Sequence, residues 1–159
     1  MAPGGLSHGT LIEAVTMALA HEMARDPSVI VLGEDVGVNG GVFRATAGLQ
    51  EKFGAERVID TPISEAGYTG AAIGMAMEGL RPVVEMQFAD FVSCGFNQIV
   101  NVIAKLFYRF ERPCPVIVRL PAGGGDGAGA FHSQNPEAWF AHVAGLTVLS
   151  PATAVEAKG

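Results

Sequence analysis

Positive charge is scarce in this sequence. Lysine and arginine together number 10 of 159 residues, against 16 aspartate and glutamate residues, which gives a formal net charge of −6. Proteins that bind nucleic acid regardless of sequence need clustered lysine and arginine to displace counterions, so the composition argues against that class. Charged residues make up only 16% of the chain and hydrophobic residues 49%, which predicts a folded domain rather than a disordered one.

Cysteine and long apolar segments are also scarce. Cys94 and Cys114 do not form a C-x-x-C pair, so we expect reduced core thiols rather than a disulfide framework or a metal site. No apolar run approaches the ~20 residues of a membrane span. The segment Met1 to Gly9 lacks the basic and apolar regions of a signal peptide. We therefore expect a cytoplasmic protein with no resident metal and no membrane contact. The histidines show no metal-ligand spacing (His8, His21, His132 and His142).

Segments of helical and strand-like pattern alternate along the chain. We predict helices at 10–25, 64–78, 91–110 and 136–143, and a further helix that begins at Ala152. We predict strands at 29–33, 58–60, 82–87, 115–120 and 146–149. This alternation indicates an α/β fold, a doubly wound, mostly parallel sheet with helices on both faces. Because the sequence stops at Gly159, just after the last helix begins, we expect a truncated domain.

Glycines mark two segments of the chain. Gly67, Gly70 and Gly74 lie within predicted helix 64–78, where each costs about 1 kcal/mol relative to alanine. We expect close packing against a neighbour to compensate. In the loop 123–129, Gly125-Asp126-Gly127 resembles the start of a magnesium–diphosphate motif, but the later asparagine of that motif is missing. A dinucleotide fingerprint fails because Ala128 replaces its third glycine. We predict a flexible loop.

Glu65 and His132 are the titratable residues whose positions suggest chemistry. Glu65 follows a strand and opens a helix, which is where parallel sheets bind ligands, although the helix dipole alone also favours a carboxylate there. His132 follows the glycine-rich loop and is either a surface residue or an acid or base delivered by that loop. Glu34, Asp35 and Asp60 are expected on loops at strand ends, as solvated caps unless a partner covers them. The residues alone leave both alternatives open for Glu65 and His132.

Five segments in a fixed order carry a resemblance to a known family. They are VIVLGEDVG (29–37), GGVFRAT (40–46), RVIDTPISEAG (57–67), RPVVEMQFADF (81–91) and HSQNPEA (132–138). Together they resemble the β subunits of thiamine-diphosphate-dependent 2-oxo acid dehydrogenases. The resemblance implies a thiamine-diphosphate-binding fold, with residues 1–159 forming its pyrimidine-binding, transketolase-like domain. It also implies that a C-terminal domain is absent here.

The resemblance implies a cofactor and a set of partners. In an α2β2 heterotetramer, the α subunit would hold Mg²⁺ and the diphosphate of thiamine diphosphate, and the β subunit its aminopyrimidine. The other partners would be a second β subunit, the lipoyl acyltransferase core of the complex and a 2-oxo acid substrate. The implied reaction is oxidative decarboxylation with acyl transfer to lipoamide.

Site residues follow from the same resemblance. Glu65 matches the catalytic glutamate, which hydrogen-bonds a pyrimidine ring nitrogen and favours the imino tautomer that removes the thiazolium proton. His132 matches a histidine near the reacting end of the cofactor that assists acyl transfer. Ile63, Gln87 and Phe91 match the pyrimidine pocket. Branched-chain members often carry tyrosine at the position of Phe91, so a hydrogen bond from that hydroxyl is not expected here.

The choice of substrate depends on two of the segments. MQFADF and HSQNPEA resemble branched-chain members more closely than pyruvate-type members, so we expect branched-chain 2-oxo acids. Pyruvate and acetoin dehydrogenases are the alternatives within the family. Because the chain lacks an α subunit and a C-terminal domain, it is expected to be inactive alone, and a catalytically inactive fragment is a further alternative. A dehydrogenase-type nucleotide-binding domain is disfavoured by the failed glycine fingerprint.

Overall fold

The computed structural model describes residues 9–125 and 127–159. Asp126, at the centre of the rejected Gly-Asp-Gly motif, lies outside the described residues, as do residues 1–8, on which the signal-peptide prediction rests. The α-helices are α1 (Leu11–Arg25), α2 (Leu49–Phe53), α3 (Glu65–Met77), α4 (Ala104–Phe110), α5 (Glu137–Ala141) and α6 (Ala154–Lys158). The strands are β1 (Val29–Gly33), β2 (Val58–Asp60), β3 (Arg81–Glu85) and β4 (Ile117–Arg119). A 3-10 helix (Ala89–Gly95) and a π-helix (Gln98–Ile103) precede α4.

The four strands form one parallel sheet in the order β2-β1-β3-β4. In its register, Leu32 of β1 lies beside Ile59 of β2 and Val84 of β3. Strand β1 is buried along its whole length, because it lies inside the sheet and has helices over both faces. The predicted parallel α/β fold is confirmed.

Alternate residues of the inner strands β1 and β3 pack into two separate apolar clusters, one on each face of the sheet. Val31 and Val83 pack with Met23 of α1 on one face of the sheet. Leu32 and Val84 pack with Ala72 of α3 on the other. Successive side chains of a strand point to opposite faces, so a continuous apolar run supports both layers. Each fully buried side chain of this size stabilises the fold by about 1.5–3 kcal/mol relative to its exposed state.

Helix α1 begins where its capping residues require. The Thr10 hydroxyl accepts a hydrogen bond from the Glu13 N–H, and the Glu13 carboxylate accepts one from the Thr10 N–H. This capping box satisfies two backbone donors that a helix start leaves free.

The turn between α1 and β1 is held by Arg57, whose guanidinium donates to the carbonyl oxygens of Met23, Asp26 and Val29.

Two predicted elements are wrong. The segment 91–110 is not one α-helix, because its first part is 3-10 and π-helical. Gly95 lies so close to Met86 and Thr69 that a β-carbon there would come within 3.1 and 3.3 Å of them, so tertiary packing sets its backbone path. The segment 146–149 pairs with none of the described strands. Leu146 packs on the core, but Leu149 is 82% exposed.

Two expectations about small residues are also corrected. Gly74 has no neighbouring heavy atom within 4 Å of the place a β-carbon would occupy, and Gly70 has only an ordinary contact at 3.9 Å. Close packing within this chain therefore does not explain Gly70 and Gly74. Gly67 differs, because a β-carbon there would come within 2.6 Å of the Ser64 hydroxyl oxygen. Cys94, in the 3-10 helix, is exposed rather than a core thiol, and Cys114 is half-buried.

Candidate functional site

The carboxyl ends of all four strands lie at one edge of the sheet, and the residues singled out by the sequence follow these ends. Glu34 follows β1, Glu65 follows β2, and Gln87 follows β3. His132 follows the glycine-rich connection after β4. In open parallel sheets, ligands bind outside these carboxyl ends. The fold therefore brings these side chains to the edge where a binding site is expected.

Glu65 is the first residue of α3 and is half-buried. Ser64 precedes it as the N-cap but makes no side-chain hydrogen bond to the helix. Among residues 9–125 and 127–159, no hydrogen bond links the Glu65 carboxylate to a backbone N–H of α3. The geometry gives Glu65 the favourable charge of a helix start, without committing its oxygens to capping.

Glu34 is a buried carboxyl group at the same edge. The expectation of a solvated cap is wrong for this residue, because Glu34 continues the buried strand β1 and is only 5% exposed. Its Oε1 has no hydrogen-bond partner within the described part of the chain. Burial raises the pKa of Glu34, and the negative charges of Glu65 and Asp35 raise it further. The site thus brings several carboxyl groups together, and in the Glu34–Glu65 carboxyl pair the charge of Glu65 is close enough to raise the pKa of Glu34.

Gln87 connects the ends of the two inner strands. Its Nε2 donates a hydrogen bond of 2.9 Å to Oδ2 of Asp35, which follows β1. Asp60, at the end of β2, accepts hydrogen bonds from the backbone N–H groups of Gly37 at 2.6 Å and Val38 at 3.3 Å. These bonds fix the loop after β1 against both neighbouring strands.

Four rings form an aromatic cluster at this edge: Phe43, Phe88, Phe91 and His132. The His132 ring lies edge-on to Phe88, with centroids 4.7 Å apart, and to Phe91, at 5.4 Å. Phe43 lies 5.3 Å from Phe88 in the same T-shaped arrangement. Such pairs stabilise by about 0.5–1.5 kcal/mol beyond the burial of their area. The structure therefore brings together two residues, Phe91 and His132, that are 41 positions apart in the sequence.

Ile63 differs from the other predicted site residues. It lies in the connection between β2 and α3, and it is 84% exposed. The structure places Ile63 at the same edge as Glu65, but outside both the aromatic cluster and the carboxyl pair.

Sequence reasoning missed an ion pair between Glu85 and Arg119. Glu85 ends β3 with 3% exposure, and Arg119 ends β4 beside it. Burial raises the pKa of Glu85, while the charge and hydrogen bond of Arg119 act in the opposite direction. The signal in the sequence was a charged residue at the end of each of two apolar strands. The sequence patterns also did not indicate that Glu34, Phe43 and Phe88 belong to the candidate site.

Comparison with protein families decides where the chain belongs. The model of the transketolase pyrimidine-binding domain matches residues 9–159. The chain belongs to this family. Its relatives include the 2-oxoisovalerate dehydrogenase subunit beta of Bacillus subtilis, 52% identical over 93% of this chain and 46% of the relative. They also include the pyruvate dehydrogenase E1 component subunit beta of Leifsonia xyli, 51% identical over 90% of this chain and 43% of the relative.

These relatives confirm the resemblance to 2-oxo acid dehydrogenase β subunits. The chain spans less than half the length of either one. Among solved structures, a split-gene transketolase described as an inactive beta4 tetramer matches with a TM-score of 0.71 at 24% identity. That match covers 93% of this chain and 45% of the other, and it shows that the two share a fold.

Proposed function

We propose that this chain forms the pyrimidine-binding domain of the β subunit of a thiamine-diphosphate-dependent 2-oxo acid dehydrogenase. The observation that carries the proposal is the Glu65 carboxyl group, which opens α3 at the carboxyl edge of the sheet beside the buried Glu34. Relatives about 50% identical to the chain and named as β subunits of such enzymes support it.

The residues at this edge fit an aminopyrimidine. A flat heteroaromatic ring with an exocyclic amine needs an apolar or aromatic wall and a few hydrogen-bonding groups placed around its rim. Phe91 and Ile63 would supply the wall, Gln87 an amide and Glu65 a carboxyl group. The unpartnered, buried Oε1 of Glu34 is a further polar atom that this part of the chain leaves unsatisfied. The magnesium and diphosphate would be held by the α subunit.

The side chains would divide the proton chemistry between them. Thiamine diphosphate, when bound, supplies the carbon nucleophile and electron sink for decarboxylation. Glu65 would share a proton with a ring nitrogen of the pyrimidine, because its oxygens are not engaged by the helix. His132 would act as an acid or base toward the substrate side, with its ring orientation set by Phe88 and Phe91.

Branched-chain 2-oxo acids are the proposed substrates, with acyl transfer to lipoamide. The segments MQFADF and HSQNPEA and the 52% identical relative named for 2-oxoisovalerate support this choice. Pyruvate is the second candidate, because a relative named for pyruvate is 51% identical.

The proposed partners are an α subunit, a second β subunit and a lipoyl acyltransferase core, in the cytoplasm. The described residues include no helix long and apolar enough to span a membrane.

The decisive experiment measures decarboxylation with an artificial electron acceptor. The complete β chain would be assembled with its α subunit and given 3-methyl-2-oxobutanoate or pyruvate, with and without thiamine diphosphate and Mg²⁺. We expect cofactor-dependent turnover that favours the branched acid. Glu65→Gln should lower kcat by about 10²–10⁴-fold, the usual contribution of a proton-transferring group.

Glu78→Gln is the matched control, because Glu78 is an exposed carboxylate at the other end of α3. It should leave kcat unchanged. Full activity of Glu65→Gln in an assembled, folded enzyme would remove the proposed role and leave Glu65 as a helix-start carboxylate. A preference for pyruvate would instead replace the branched-chain assignment while keeping the family. The 159-residue chain alone is expected to show no turnover.

A further inference from the structure

The connection that carries His132 is attached at both ends to one short segment of the 3-10 helix. At its start, the carbonyl oxygen of Pro121 accepts a hydrogen bond of 2.8 Å from the Ala89 N–H. At its far end, the Gln134 N–H donates a hydrogen bond of 3.3 Å to Oδ1 of Asp90. Two consecutive residues, Ala89 and Asp90, therefore hold the two ends of a connection that is otherwise rich in glycine.

Asp90 is an unusual residue to find at this place. It is only 7% exposed, and aspartate is seldom buried unless a partner satisfies its charge. The Gln134 N–H gives the carboxyl group such a partner, at a distance of 3.3 Å that is long for a charge-assisted hydrogen bond. The Ser93 hydroxyl, one turn later, donates to the Asp90 backbone carbonyl and steadies the 3-10 turn from which the side chain projects.

Two residues close to Asp90 in the sequence contact the histidine itself. Phe88 and Phe91 supply the two rings that lie edge-on to His132. His132 is thus held by ring contacts, and the backbone two residues later is held by Asp90. The outgoing and returning backbone of the connection also lie close together, because a β-carbon on Gly124 would be 3.6 Å from the Ser133 carbonyl oxygen. Glycine allows the backbone of this connection many conformations. The Asp90 bond therefore adds to the ring contacts and to the 3.4 Å hydrogen bond from the His132 N–H to the Gly129 carbonyl oxygen.

We infer that Asp90 is a positioning residue, whose carboxylate fixes the Gln134 backbone and so keeps the His132 ring against Phe88 and Phe91. Asp90 acts through His132, so its effect on turnover rests on the role proposed above for that histidine. Its effect on the position of the connection does not rest on that role. The two effects are therefore measured separately.

Hydrogen exchange tests the attachment directly. In the complete β chain assembled with its α subunit, Asp90→Ala should speed deuterium uptake by the Gln134 amide about tenfold, since it removes a charge-assisted bond. Asp90→Asn keeps an acceptor oxygen of the same size and should stay within about threefold of the wild type. Peptides from α1 should exchange equally in all three proteins. An unchanged rate at Gln134 in Asp90→Ala would overturn the inference.

A double-mutant cycle tests whether Asp90 acts through His132. Asp90→Ala should lower kcat about tenfold with little change in KM, and Asp90→Asn should restore most of that loss. In a His132→Ala background, Asp90→Ala should cause no further fall. An equal fall in both backgrounds would refute action through His132. If His132→Ala kept full activity, the proposed role of His132 would fail, and exchange at Gln134 alone would judge the positioning by Asp90.

Discussion

Removing the Arg119 guanidinium should destabilise this domain more than removing any exposed arginine. Arg119→Met keeps an apolar stem of similar length but leaves the Glu85 carboxylate, 3% exposed, without its cation. Breaking one side of a buried pair costs about 3–5 kcal/mol, because the remaining charge is uncompensated. Domains are stabilised by only about 5–15 kcal/mol in total, so this is a large fraction. For a chain of this length, we expect Tm to fall by roughly 6–20 °C.

The assay is thermal unfolding followed by circular dichroism, with two matched variants. Arg81→Met removes an exposed ion pair with Asp26, at 3.4 Å, and should cost no more than about 1 kcal/mol. Arg119→Met combined with Glu85→Gln removes both charges of the pair, including the buried one, and should recover most of the loss. Equal effects of Arg119→Met and Arg81→Met would refute the reasoning, because burial would then not decide the cost.

The pH dependence of the same variant has a definite sign. Burial raises the pKa of Glu85 in the folded chain above its unfolded value. The protonated form of Glu85 therefore contributes stability to the fold. That contribution is fully present below the unfolded pKa and is lost as pH rises through the folded pKa. Arg119→Met removes the group that opposes this rise, so its penalty should be larger at pH 8 than at pH 5. A penalty that shrinks with rising pH would contradict the assignment.

Two further predictions concern the same edge and helix α3. Burial is the main cause of the raised pKa of Glu34, so the fold should lose stability as pH rises above the ordinary glutamate range. Glu34→Gln should make that loss smaller, which denaturation at several pH values checks. A β-carbon on Gly33 would collide with the Glu85 carbonyl oxygen, so Gly33→Ala should destabilise by several kcal/mol. Gly74→Ala meets open space within a helix and should stabilise the isolated chain by about 0.5–1 kcal/mol. Urea denaturation compares the two glycine variants.

Local patterns predicted most of the layered architecture. The apolar run of β1 and the four-residue spacing in α1 predicted elements that the structure has within one residue. Failures occurred where tertiary contacts override a pattern. The 3-10 helix contains Gly95, where a β-carbon would come within 3.1 Å of Met86 from another part of the chain. The segment 146–149 has an apolar composition but pairs with none of the described strands.

The candidate site divides in the same way. The sequence by itself indicated the family and, through segments such as TPISEAG and HSQNPEA, which residues to examine, because the order of such segments is visible in the sequence without the fold. Only the tertiary structure decided that Glu34 is buried beside Glu65, that Glu85 pairs with Arg119, and that Asp90 holds the backbone next to His132. Burial and pairing depend on residues brought together from distant parts of the chain, and a carboxylate has the same appearance in the sequence whether it is solvated or enclosed.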